Sequence, residues 1–164
     1  MLTRDALRIA LKICLVCLAA YLGGFYFTHL FHETSAAIGG LWALISGVVV
    51  LQATRRDTWS SAWLRVLGTF IGAVVSAVYL SFLPFNPFGM AVVIGLVMLL
   101  CHVLGVPDHA RLASITVAVI MVTSTFHPGL NPVLNAGLRF SESCIGAALA
   151  VVGVLLWPEP ESST

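Results

Sequence analysis

The sequence predicts an all-α integral membrane protein whose six transmembrane helices form two inverted three-helix repeats. Three observations carry that expectation. The 164 residues are 59% apolar with a mean hydropathy of +1.01, and only 9% are charged. A soluble domain carries about a quarter of its residues as charges, so this chain has too little polar cover for a water-facing surface. Prolines and polar clusters cut it into six apolar runs, and the third run aligns with the sixth.

A bilayer core takes about 20 helical residues to cross. The first span is expected at 6–30. Arg4, Arg8 and Lys12 ahead of its apolar centre give it the look of a signal peptide, and Cys17 invites a lipoprotein reading. Leu15 and Val16 stand where such a cysteine needs small residues, and long apolar segments follow, so an uncleaved span is expected. The second span, at 36–51, is short, and the third follows at 61–82. Pro84 and Pro87 close that half. The fourth to sixth spans are expected at 88–104, 112–126 and 134–157, bounded by Pro107, by Pro128 and Pro132, and by Pro158 and Pro160, because proline cannot continue a helix.

Cations fix the orientation. Arg4 and Arg8 precede the first span, Arg55 and Arg56 lie between the second and third, and Arg111 lies between the fourth and fifth. The alternate connections at 32–35, 81–87 and 127–132 contain no Lys or Arg. The positive-inside rule therefore puts both termini in the cytoplasm. Every loop is short and a single transmembrane domain, 1–164, is expected.

An offset of 74 residues (139 − 65) places Ala62, Leu64, Arg65, Ile71, Gly72, Ala73, Val78 and Pro84 on Ala136, Leu138, Arg139, Ile145, Gly146, Ala147, Val152 and Pro158. The expected repeats are about 6–84 and about 85–158. Three crossings per copy invert the second copy relative to the first, an arrangement recurrent in transporters.

Composition also excludes. A net charge of +1 without clustered Lys and Arg rules out an electrostatic nucleic-acid binder. Cys14, Cys17, Cys101 and Cys144 all lie in apolar runs and read as small hydrophobes. Five histidines show no metal spacing, and no phosphate-binding glycine loop or nucleophile with an adjacent base is present. No cofactor, no metal and no enzymatic activity are expected.

Arg65 and Arg139 are the residues least at home in this setting, since an arginine at a helix centre costs about 2.5–3.5 kcal/mol. Either each guanidinium offers its rigid fork of donors to a carboxylate in a transmembrane path, or each snorkels to the headgroups from near a helix end. Glu142 follows Arg139 by three residues, on the same helical face. It is either a proton carrier or half of a neutralised ion pair. Gly68 and Gly72, joined by Thr69 and Ala73, give the third span a small-residue packing face, with Gly146, Ala147 and Ala150 as counterparts in the sixth. Trp59 and Trp63 fit an interfacial aromatic belt. Trp42, after Gly39 and Gly40, is either core or an indole able to stack on an aromatic substrate.

The stretch from Gly40-Leu41-Trp42-Ala43 through Val48-Val49-Val50, then Thr58-Trp59 and Arg65-Val66-Leu67-Gly68-Thr69-Phe70-Ile71-Gly72-Ala73, resembles the fusaric acid resistance and aromatic acid exporter superfamily. Plant aluminium-activated malate channels are similar to that superfamily. Arg139 with Ile145-Gly146 resembles its later repeat. The resemblance implies export of small organic anions, often aromatic carboxylates, across the bacterial inner membrane. The residues themselves lead us to expect a pathway that includes Arg65, Arg139, Glu142, Trp42 and Thr69. Larger members have a second six-span half and a cytosolic domain, so a complete path is expected to need a homo-oligomer, a dimer foremost. A non-transporting membrane scaffold or partner subunit is the alternative.

Overall fold

A computed structural model of the protein describes residues 4–157, with side chains from Ala6 onward. Pro158 and Pro160, expected to end the last span, lie outside the described residues, as does the Arg4 side chain. The described chain is all-helical: α1 Arg4–Phe31, α2 Ala36–Val50, α3 Arg55–Phe82, α4 Pro87–Val103, α5 Ala110–Phe126 and α6 Pro132–Leu156. Single 3-10 turns, Glu33–Ser35 and Pro107–His109, lead into α2 and α5. Five segments are long and apolar enough to cross a membrane, the second and fifth when their 3-10 turns are included, while α4 is shorter at 17 residues. At about 1.5 Å per residue α4 reaches roughly 26 Å, just under a typical hydrocarbon thickness of about 30 Å.

Helix starts follow from local chemistry. Asn86 and Asn131 each precede a proline and accept from the backbone N–H two residues on, at 2.8 Å from Phe88 and 2.9 Å from Val133. That satisfies donors a helix start otherwise leaves orphaned. The third span was expected at 61, yet α3 begins at Arg55. Thr54 and Asp57 account for the difference: the Asp57 N–H donates to Thr54 Oγ1 at 3.1 Å, and that hydroxyl donates to Asp57 Oδ2 at 2.8 Å. This reciprocal cap starts the helix in the polar stretch ahead of the apolar run. Gly105, with φ of 72°, makes the left-handed turn after α4 that side chains disfavour.

Two compact units make up the chain. One comprises the described residues up to Trp63 together with those from Glu142; the other is Leu64–Ser141. In the first, α1 and α2 form an antiparallel hairpin. Val16, Ala20, Gly24 and Thr28 repeat every four residues along the buried face of α1. A methyl added at Gly24 would strike the Gly39 carbonyl and the Ala43 methyl, and one at Gly47 would meet Ala20 at 3.3 Å. The last part of α6 completes this unit, with Gly146 pressed against the Ala43 carbonyl. In the second unit, Val93, Val97 and Cys101 of α4 pack with Ala110, Ala113, Val117 and Met121 of α5 and Ile71 of α3.

The two units use the same packing device. Gly72 of α3 lies against the Ala113 carbonyl of α5, as Gly146 of α6 lies against that of Ala43 in α2. Buried hydroxyls flank each crossing: Thr69 and Thr116 in one unit, Ser143 and Ser46 in the other. Thus an offset of 74 between α3 and α6 (146 − 72, 143 − 69) goes with one of 70 between α2 and α5 (113 − 43, 116 − 46).

Candidate functional site

In the first unit the polar groups converge on Glu142. Gly39 and Gly40 do not interrupt α2, which runs continuously from Ala36 to Val50. Their missing side chains instead make room: a methyl at Gly39 would overlap Thr28 Oγ1 and stand 2.7 Å from Glu142 Oε1, and one at Gly40 would meet the Tyr21 ring. Thr28 Oγ1 donates to Glu142 Oε1 at 2.5 Å, with both residues fully buried. Further along α2, Ser46 Oγ donates to the Trp42 carbonyl at 2.9 Å and accepts from the Ser143 hydroxyl, whose oxygen is 3.1 Å away. Trp42 is buried beneath this polar row. A carboxylate held by a hydroxyl donor in an otherwise apolar interior is a group able to bind a proton or balance a cation.

The second unit carries the arginines. Arg65 lies ten residues into α3, about 15 Å from Arg55, and Arg139 seven residues into α6, about 10 Å from Pro132, at 1.5 Å per residue. Each is 1% exposed. A snorkelling guanidinium reaches headgroups and water; these two are enclosed by protein. Thr69 is fully buried one turn beyond Arg65, and Asn135 donates to the Ile120 carbonyl at 3.2 Å near the start of α6. Asp108 is the acidic residue within Leu64–Ser141, and it is exposed. The buried charged side chains of this unit are thus the two guanidiniums, and the buried Glu142 follows Arg139 by three residues.

Glycine placements define the helix register. Gly68 lies against Leu112 Cβ and, at 3.0 Å from an added methyl, the His109 carbonyl; Gly72 lies against Ala113 and Thr116. Helices α3 and α5 therefore run in the same direction. Trp59 and Trp63 are exposed at 69% and 62%, as an interfacial belt requires.

Sequence reasoning missed two features. The Thr28 to Glu142 bond joins residues 114 apart, with no local signal. His109 is 7% exposed, and neither ring nitrogen has a hydrogen-bond partner among the described residues. Among those residues no group of three His, Cys, Asp or Glu is placed to hold a metal ion.

Comparison with protein families matches residues 18–153 to the fusaric acid resistance protein-like family. The matched stretch runs from α1 into α6 and includes Trp42, Arg65, Thr69, His109, Arg139 and Glu142. Comparisons with curated proteins and with solved structures give no match. The family match covers most of the chain and agrees with the resemblance carried by its arginine and glycine pattern, so this chain belongs to the fusaric acid resistance protein-like family of membrane transporters.

Proposed function

We propose that the chain forms a path for small organic anions, aromatic carboxylates among them, leading out of the bacterial cytoplasm across the inner membrane. Arg65 and Arg139 grip the carboxylate, and Glu142, three residues beyond Arg139, offsets its charge or carries a proton. The observation that carries this reading is the pair of guanidiniums buried to 1% inside the helices of a transporter-family protein. Each is costly in a membrane interior, and a fork-shaped cation is suited to a planar carboxylate.

The six helices are read as two inverted repeats with both termini cytoplasmic. The paired crossings at Gly72 and Gly146, against carbonyls 70 residues apart in sequence (113 − 43), support the repeat, and the placement of the cations supports the orientation. Two copies of the chain would complete the path, with Thr69 beside Arg65.

The test is flux of radiolabelled benzoate and succinate into liposomes containing the purified protein, with and without a pH gradient. Saturable anion uptake, lost in Arg65→Gln, is expected. Equal flux in wild type, Arg65→Lys and Arg139→Gln at matched protein levels would show that neither arginine lies on the path. Gradient dependence would identify a proton-coupled carrier. Mass measurement in detergent tests assembly, a lone monomer over a wide concentration range counting against the dimer.

A further inference from the structure

Buried polar groups in folded proteins are almost always hydrogen-bonded, because leaving one unsatisfied forfeits its hydration without return. His109 departs from that rule at both ring nitrogens while only 7% exposed. It stands where the Pro107–His109 turn enters α5, the electropositive end of a 17-residue helix. No side-chain cap bond is made there.

The neighbouring α3 brings a second donor group to this end of the unit. Gly68 packs on the His109 carbonyl, and Gly72 packs one turn further along α5. Arg65 precedes Gly68 by three residues, so it shares that face of α3 and lies one turn further toward the start of α5. The other charged groups and histidines of this region, His102 at the end of α4, Asp108 and Arg111, are exposed, and the Cys101 thiol is buried in the apolar core. The buried basic side chains are those of His109 and Arg65.

Position within the packing pattern singles out the same residue. The offset that pairs Ala43 with Ala113 pairs Gly39 with His109 (109 − 39 = 70), and the offset that pairs Gly72 with Gly146 pairs Gly68 with Glu142 (142 − 68 = 74). At the crossing in the first unit the third helix supplies a carboxylate and α2 a glycine. At the crossing in the second unit the third helix supplies a glycine and the turn leading into α5 supplies the His109 carbonyl, the His109 side chain being buried there. Each crossing thus holds one buried acid–base side chain, a carboxylate in one and an imidazole in the other.

We propose that His109, at the α3–α5 crossing, is a binding residue for the carboxylate of a small organic anion and acts together with Arg65. A ring N–H donates to one carboxylate oxygen while the guanidinium takes the other side. This rests on the anion-path reading above and adds to it a residue and a place.

The experiment measures equilibrium binding of radiolabelled benzoate to the purified full chain in detergent, with benzamide as a neutral analogue of the same shape, alongside benzoate flux in liposomes. His109→Leu removes the donor and is expected to weaken benzoate binding at least tenfold. His109→Gln retains an N–H donor and is expected to stay within about threefold of wild type. Preferential binding of benzoate over benzamide should shrink in His109→Leu and persist in His109→Gln, a pattern that loss of packing alone would not produce. Protection of wild-type protein from thermal unfolding by benzoate and not by benzamide provides a readout should the leucine variant fail to fold. Wild type that carries benzoate while His109→Leu binds it unchanged overturns this inference alone. Wild type that neither binds nor carries benzoate or succinate overturns the anion path along with it.

Discussion

Replacing Gly146 by alanine probes the closest helix approach in the first unit. The added methyl would overlap the Ala43 carbonyl oxygen and lie 2.9 Å from both the Ala43 carbonyl carbon and the Gly47 nitrogen. Ordinary contact begins at 3.4 Å, so α6 must back away from α2 by about half an ångström for those two atoms and further for the oxygen. The obstructing atoms are backbone, with no rotamer to change. Overpacking of this kind costs about 1–3 kcal/mol, while alanine in place of glycine in a helix returns about 0.8–1.0 kcal/mol. A net loss of up to about 2 kcal/mol is expected. Gly137 is the internal control: it lies on the same helix, with nothing within 4 Å of an added methyl, so its alanine variant should gain up to about 1 kcal/mol. Equilibrium unfolding in mixed micelles by SDS titration, followed by tryptophan fluorescence, gives both values. Equal stabilities for the two alanine variants would refute the claim that Gly146 is needed for close approach.

Thr28→Val should cost about 1–2 kcal/mol in the same titration by removing the donor to Glu142. Thr28→Ser should cost much less, and equal losses would show that the hydroxyl bond is unimportant. Arg139→Gln is expected to impair folding by leaving the Glu142 charge without the cation three residues away, and adding Glu142→Gln should restore folding but not anion flux. Restored flux in the double variant would remove Arg139 from the path. Cysteine labelling in intact cells and inverted vesicles should find positions beside Asp57 cytoplasmic and positions beside Asn86 external; labelling of both from one side would sink the six-span topology.

Most helix boundaries were legible because proline and capping chemistry act locally. Pro87, Pro107 and Pro132 each open a helical segment, near where the apolar runs resume. The start of α3 was misplaced for an equally physical reason: an apolar run marks where lipid contact begins, whereas Thr54 and Asp57 mark where the helix begins. Arg65 and Arg139 stood out because charge is rare in such segments. His109 did not stand out, since a histidine after Pro-Asp reads as part of a polar loop and its burial depends on where α3 packs. Likewise the use of the glycine pair at Gly39 and Gly40 for Thr28, Glu142 and Tyr21 emerges only once α1 and α6 are in place.

The division of the chain at Trp63 and Ser141 also bears on biogenesis. Leu64–Ser141 is one continuous stretch, able to make its internal contacts as soon as it has been synthesised. The α1–α2 hairpin has no such independence, because the Glu142 carboxylate that Thr28 binds and the Gly146 surface that Ala43 receives are encoded about ninety residues later (142 − 50 = 92). At a synthesis rate of about 5–20 residues per second the hairpin waits roughly 5–18 s for its partner. During that interval Thr28 lacks its Glu142 acceptor and Ser46 lacks its Ser143 partner. The earliest helices to be made are thus the last to be finished, and a chaperone or a truncated chain would meet the protein with that polar seam open.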